Sequence, residues 1–320
     1  MKAIVQDVYG GALELRDLDR PAPRDDEVLV RVHAAAVDWG VWHVSTGRPY
    51  LFRLIAGFRG PRQKIQGTDL AGTVEGTGSK VTAFKPGDEV FGSSPGAFAE
   101  YVCVKERRLA PKPHGLTVEE AAALPTSGAV AVQALRGKAK ARPGQKILII
   151  GASGGNGTFA VQLAAADGLE VTGVCGPGKD DLLRSLGASQ IIDYTTQDPT
   201  GTSTRYDIIL DIAGNRPLNR LRRALTPNGV LIMAGGEDGG AVLGGMERQF
   251  RALLLTPFIR QRLRNLLTLV RKDDLLTLTE LAENGTLKPV IDRTYPLAEA
   301  ATALHHLETG HPRGKLILTT

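Results

Sequence analysis

The stretch KILIIGASGGNG, residues 146–157, most constrains what this chain can fold into. Ile147, Leu148, Ile149 and Ile150 form a short apolar run, mostly β-branched and closed by Gly151, as a strand buried on both faces requires. An apolar helical pattern, Phe159, Ala160, Leu163 and Ala164, follows, so the segment reads as strand, tight turn, helix. In that register Ala152, Gly154 and Gly157 spell A-x-G-x-x-G, with alanine in place of the first glycine of the dinucleotide fingerprint. Gly154 leaves no Cβ where a pyrophosphate must touch backbone, and Gly157 lets the helix pack close on the strand. First-turn N–H groups and the helix dipole then hold the phosphate charge. Any tight turn favours glycine, so the meaning comes from the flanking strand and helix. Ala152, Ser153, Gly154, Gly155, Asn156 and Gly157 are the expected cofactor-binding turn.

On either side of this turn the pattern differs. Up to about residue 115, short β segments are expected at 1–8, 27–34, 69–77, 88–91 and 98–104, separated by Pro- and Gly-rich turns. Residues 48–66, RPYLFRLIAGFRGPRQKIQ, read either as a lid or substrate wall or as an amphipathic helix closing the β unit. From Thr117 a β-α alternation begins, opened by the capping box Thr117-Val118-Glu119-Glu120. Strands follow at 146–150, 170–174, 190–193, 207–211 and 229–233, with a sixth expected at 266–270 and helices between, which predicts a doubly wound parallel sheet. The tail breaks the alternation and is expected to return to the N-terminal β unit. The fold class is therefore α/β, a Rossmann sheet plus a second, β-rich domain, with expected boundaries 1–120 and 272–320 against 121–271.

A chain of 320 residues suits two domains, and 42% hydrophobic with 23% charged residues describes an ordinary globular composition. The net charge of +5 raises a nucleic-acid reading, but Arg248, Arg251, Arg260, Arg262, Arg264 and Arg271 alternate with leucines as on a solvated or subunit-facing helix. No nucleic-acid or membrane partner is expected. Cys103 and Cys175 stand far apart with no C-x-x-C, which supports neither a disulfide framework nor a cysteine-rich zinc site. With no long apolar span, the expected compartment is cytoplasmic.

The ordered motifs Gly67-Thr68-Asp69-Leu70-Ala71-Gly72, FKPGDEVFG at 84–92, GAFAEY at 96–101, GASGGNGTFAVQLA, SLGASQIIDY and Gly314-Lys315 resemble the medium-chain dehydrogenase/reductase superfamily, in its zinc-free quinone reductase and enoyl reductase branch. The resemblance implies a GroES-like catalytic domain built from both ends of the chain, a central Rossmann domain, an active site in the cleft between them, and a homodimer. It also assigns Gly235 and Lys315 to the cofactor. In zinc-dependent relatives three positions hold the metal; the matching ones here are Asp38, Thr68 and Thr126, a poor zinc set. A family threonine near the nicotinamide is Val130 here, and the apolar residue between the last two glycines is Asn156.

An NAD-specific site carries an acid about 20 positions past the glycines. Here Cys175-Gly176-Pro177-Gly178-Lys179 offers none, and Lys179 stands where a 2′-phosphate would need a cation. The resemblance carries Tyr194 to the same phosphate, so the expected cofactor is NADPH. The neighbouring Asp180 and Asp181 oppose that field.

Hydride delivery to an activated C=C needs positioning, a hydrogen bond and a proton, but no Lewis acid. The expected activity is NADPH-dependent reduction of a quinone or α,β-unsaturated carbonyl; the alternatives are a zinc-free carbonyl or alcohol dehydrogenase and a non-catalytic NADPH-binding protein. By the resemblance, His43 lies five positions past the first site residue, Asp38, where relatives place a proton-relay histidine or a tyrosine. His43 is the expected acid or relay and Asp38 a hydrogen-bond acceptor, with Trp42 as a wall. A histidine there can equally bond a backbone carbonyl and leave water as the proton source.

Overall fold

A computed structural model describes residues 1–201, 203–236, 240 and 242–320, residue 55 by its backbone alone. The chain forms two units, Met1–Ala129 with Leu269–Thr320, and Val130–Thr268. Both boundaries move against the expected 120/121 and 271/272. The first moves because helix α3 packs on strands of the β-rich unit and buries Ala121, Ala122 and Ala123 there.

The β-rich unit begins with the hairpin β1 (Lys2–Val5) and β2 (Glu14–Asp17), then β3 (Glu27–Val37), helix α1 (Trp39–Thr46) and the single turn α2 (Arg53–Ala56). β4 (Asp69–Thr77), β5 (Glu89–Ser93), β6 (Tyr101–Lys105), β7 (Leu109–Pro111), α3 (Val118–Ala123) and α4 (Pro125–Val132) follow, and the chain leaves this unit within α4. β3 is the hub. One edge pairs with β4; the other is shared, β6 taking Glu27 to Arg31 and a C-terminal strand taking Ala34 to Val37. Its inward residues Val28, Val30 and Val32 join Leu70, Phe98 and Leu316 in one apolar core.

Residues 48–66 are not a continuous amphipathic helix. A 3-10 turn, Tyr50–Phe52, leads into α2, which stops at Gly57 with φ 124. Gly57, Gly60 and Pro61 cannot sustain a helix, and the chain bends its way to an isolated bridge between Ile65 and Val5. Arg53 holds the segment, stacked on the rings of Tyr9 and Tyr50 at 4.6 and 4.5 Å.

The second unit contains β8 (Lys146–Ile150), α5 (Gly155–Ala166), β9 (Glu170–Cys175), α6 (Asp180–Ser185), β10 (Gln190–Asp193), β11 (Tyr206–Asp211), α7 (Leu218–Ala224), β12 (Leu225–Met233), α8 (Met246–Leu255) and β13 (Arg262–Asn265). All six strands are parallel, in the order β10-β9-β8-β11-β12-β13. The order reverses between β8 and β11, and ligands of such sheets bind at the carboxyl ends beside that reversal.

The sixth strand corrects an expectation. It occupies Arg262–Asn265 rather than 266–270, because an edge strand needs only one inward apolar residue and Leu263 is the buried one. The expected arginine-leucine helix is also divided. Arg248 and Arg251 ride on α8, Pro257 ends the helical run in a 3-10 turn, and Arg262 and Arg264 lie on β13.

The tail, α9 (Lys272–Glu283), β14 (Ile291–Pro296), α10 (Ala300–Thr309) and β15 (Lys315–Thr319), does return to the first unit, where β15 is the strand that pairs with Ala34 to Val37.

Candidate functional site

In the second unit, Ile147 to Ile150 are buried in the sheet and deliver Gly151 into a tight turn with φ 86. Ala152 is buried, its N–H bonded to Val174 O at 2.9 Å, and Gly154 caps α5 with no side-chain hydrogen bond. The N–H groups of Gly155, Asn156 and Gly157 thus lie in a first turn with no acidic residue to meet them. A Cβ on Gly154 would touch only Gly151 O, at 3.7 Å, whereas one on Gly157 would lie 2.1 Å from that oxygen. One glycine keeps the approach to the helix terminus open and the other permits the packing. This cradle fits a pyrophosphate.

At the neighbouring strand ends, Cys175 is paired in register with Asp193, so Gly176 and Tyr194 follow side by side. A Cβ on Gly176 would sit 3.2 Å from the Tyr194 hydroxyl. Lys179 precedes α6, and Asp180 and Asp181 occupy its first turn. No carboxylate ends β9.

Sequence reasoning missed Asp211. Fully buried at the end of β11, it accepts hydrogen bonds from Arg248 Nη2 at 2.6 Å and Gly214 N at 3.1 Å, and Arg248 Nη1 donates to Arg216 O at 2.7 Å. Burial raises the Asp211 pKa and Arg248 opposes the rise. Arg248 therefore ties α8 to the loop after β11, which is not the surface role its spacing suggested. A lone carboxylate closing the apolar run IILD was the signal available. Gly235 follows β12, and the backbone of Gly235 and Gly236 approaches Gly214. Of the segment 235–245, residues 237–239 and 241 lie outside the described residues.

In the first unit, Asp38 caps α1, its Oδ1 accepting from Val41 N at 3.1 Å, while Oδ2 is buried without a partner among the described residues. His43, one turn on, places Nδ1 2.7 Å from Arg48 O. A carbonyl only accepts, so Nδ1 carries the hydrogen and Nε2 is the acceptor. Burial lowers the His43 pKa, only partly opposed by Arg48 O and Asp38.

Lys315 lies in this unit as well, 2% exposed and with no hydrogen-bond partner for Nζ among the described residues. Its charge acts on Asp69, a fully buried residue that accepts from Thr126 N at 2.9 Å and Thr126 Oγ1 at 2.7 Å. Burial, and then the charge of Asp38, push the Asp69 pKa up to about 6 against the pull of Lys315 and Thr126.

The donors here do not fit zinc. Thr126 spends its hydroxyl proton on Asp69, Asp38 spends one oxygen on the α1 cap, and no group of three or more His, Cys, Asp or Glu among the described residues could hold a metal ion. Nor, among those residues, is any helix long and apolar enough to cross a membrane.

A GroES-like β unit carrying a buried polar cluster, joined to a Rossmann sheet with an open dinucleotide turn, defines a nicotinamide-dependent oxidoreductase. Two family models match, "Alcohol dehydrogenase GroES-like domain" over residues 24–114 and "Zinc-binding dehydrogenase" over residues 186–318. The chain is 32% identical to the chloroplastic quinone-oxidoreductase QR1 of Triphysaria versicolor, covering 99% of this chain and 98% of that protein. It is 30% identical to the 2-methylene-furan-3-one reductase of Solanum lycopersicum, over 93% of this chain and 73% of that one. The quinone oxidoreductase structure from Coxiella burnetii superposes with a TM-score of 0.85 at 30% identity, covering 100% and 99% of the two chains. The protein belongs to the medium-chain dehydrogenase/reductase superfamily, in its zinc-free quinone reductase branch.

Proposed function

We propose that the protein is an NADPH-dependent reductase of quinones or α,β-unsaturated carbonyl compounds. The observation that carries the cofactor choice is the end of β9, where Gly176, Pro177, Gly178 and Lys179 replace the acid that would bond a ribose 2′-hydroxyl. Lys179 supplies charge to a 2′-phosphate and Tyr194 a hydroxyl, while the first turn of α5 holds the pyrophosphate. When bound, the nicotinamide supplies the hydride.

The substrate class follows from the first unit. Its donor set offers no zinc centre to polarise an alcohol, whereas an activated C=C needs only positioning, a hydrogen bond and a proton. His43, neutral and pinned through Nδ1, presents Nε2 as an acceptor and orients the water that delivers the proton. The names of the two relatives, a quinone oxidoreductase and a furanone reductase, support the same chemistry. Cofactor consumption measured with NADPH and NADH against quinones, enones, enoyl thioesters and simple ketones tests the reading. Turnover of ketones alone would overturn it.

We also propose a homodimer. β13 is the outer strand of its sheet, and α8 with the following turn exposes Leu254 and Phe258, 72% and 85% accessible. An unpaired strand edge beside large exposed apolar side chains favours a second copy.

A further inference from the structure

At the reversal of strand order, three neighbouring strands end in register, Ile150 of β8 beside Asp211 of β11 and Asp211 beside Met233 of β12. The loop after β11 starts locked to the end of β8, Ile212 N and Ala213 N both donating to Ile150 O at 3.0 and 3.3 Å. It then packs on the loop after β12. Gly214 is buried and left-handed with φ 72, and a Cβ there would lie 2.5 Å from Gly236 N. Ile212, Ala213, Gly235 and Gly236 keep part of their surface open to solvent, as do Gly154, Gly155 and Asn156 of the cradle. This open backbone lies on the β11 side of the cradle, whereas Gly176 and Tyr194 lie on the β9 side. A dinucleotide with its pyrophosphate on α5 and its adenosine 2′-phosphate at Gly176 to Lys179 therefore lays its nicotinamide half across the ends of β11 and β12.

Arg248 holds that loop from α8. Its guanidinium reaches two acceptors at once, Asp211 Oδ2 at 2.6 Å and Arg216 O at 2.7 Å, while Asp211 Oδ1 takes the N–H of Gly214 at 3.1 Å. A planar fork spans two acceptors in one fixed geometry, which neither an ammonium nor an apolar side chain does. Apolar residues of similar volume often stabilise a fold as well as a buried ion pair. What this pair adds to an apolar contact is a fixed path for residues 211–216. We infer that Arg248 is a positioning residue for the cofactor, fixing through Asp211 and the Arg216 carbonyl the loop on which the nicotinamide half rests. The inference rests on the cofactor reading above. Arg248 acts through the loop and not by contact, so the adenosine half, on the far side of the cradle, is bound without its help.

The two halves of the cofactor therefore report separately. Titration calorimetry at pH 7 compares NADP⁺ with 2′,5′-ADP, which lacks the nicotinamide half, on one preparation of protein. Arg248→Met should bind 2′,5′-ADP within about twofold of the unmodified protein and NADP⁺ about tenfold more weakly. Partial unfolding would lower the stoichiometry of both ligands alike, so the difference between them isolates the loop. Unchanged NADP⁺ binding overturns the inference, and so does an equal loss of both ligands. If Arg248→Met does not fold, the double variant Asp211→Asn with Arg248→Met leaves no unpaired buried charge, and the same readings decide. An unmodified protein that binds NAD⁺ and not NADP⁺ would refute the 2′-phosphate reading, while NAD⁺ compared with ADP would still decide the role of Arg248.

Discussion

Arg248 Nη2 lies 2.6 Å from Asp211 Oδ2, and Asp211 has no solvent exposure. Replacing the guanidinium leaves a buried carboxylate without its counter-charge. We expect Arg248→Met to lose about 3 kcal/mol in urea unfolding at pH 7, as for breaking a buried ion pair from one side. The Asp211 pKa is already raised by burial, and Arg248 is the largest restraint on it, ahead of the Gly214 N–H and Arg216. Without Arg248 it rises further, so acidification lets the folded state take up the proton. The deficit should therefore shrink between pH 7 and pH 5; one that grows would mean another group carries the effect.

Asp69 makes stability depend on pH in the same sense. Its folded pKa of about 6 lies above the ordinary 3.8, so the folded state holds a proton that the unfolded chain has released. That contribution is present below pH 4 and is lost as pH rises through 6, a displacement of roughly 3 kcal/mol. Relative to Asp69→Asn, the unmodified protein should lose up to about that much between pH 4 and pH 7. Parallel unfolding curves for the two proteins across this range would refute the assignment.

Cofactor choice is tested at Lys179. One charge-assisted phosphate contact corresponds to about a ten- to hundredfold preference. Lys179→Ala should weaken NADPH binding by that factor and leave NADH within about twofold, read by titration calorimetry. Equal dissociation constants in the unmodified protein would remove the preference altogether.

For His43, the committed Nδ1–H and the lowered pKa predict action as a neutral imidazole. Turnover should stay level above pH 6.5 and fall only below it, as the ring protonates. His43→Phe should lower kcat roughly 10²-fold with NADPH affinity unchanged. A rate that declines as pH rises from 6 to 8, and loses that dependence in His43→Phe, would mark the histidine as an acid.

If two copies meet along β13, Arg262 and Arg264 of one face the same residues of the other, and like charges across a strand pair repel. Added salt should then tighten the dimer by screening them. Phe258→Asp should yield a monomer by sedimentation velocity. A monomeric unmodified protein at tens of micromolar would end the proposal.

Much of the fold was legible because it rests on local patterns. The apolar run of β8, the glycines after it, the Thr117–Glu120 capping box and the β-α alternation are each determined within a few residues of chain. The position of the sixth strand is not legible locally: an apolar run points to 266–270, whereas an edge strand is chosen by pairing with β12 and needs a single inward leucine. The same limit applied to Arg248, whose spacing resembles that of a solvated helix until a buried carboxylate from another element is placed beside it.

The candidate site divides along the same line. The sequence by itself determined the dinucleotide turn, the missing acid after β9 and the absence of a histidine- and cysteine-rich ligand set, since these depend on residue type at short spacing. Only tertiary structure brought Asp69, Thr126 and Lys315 together from three distant stretches, gave His43 the Arg48 carbonyl that sets its tautomer, and left the Trp42 indole without an acceptor among the described residues. Protonation states and unmet hydrogen bonds depend on what is nearby in space and on how much water is excluded, and neither is written in the spacing of residues along a chain.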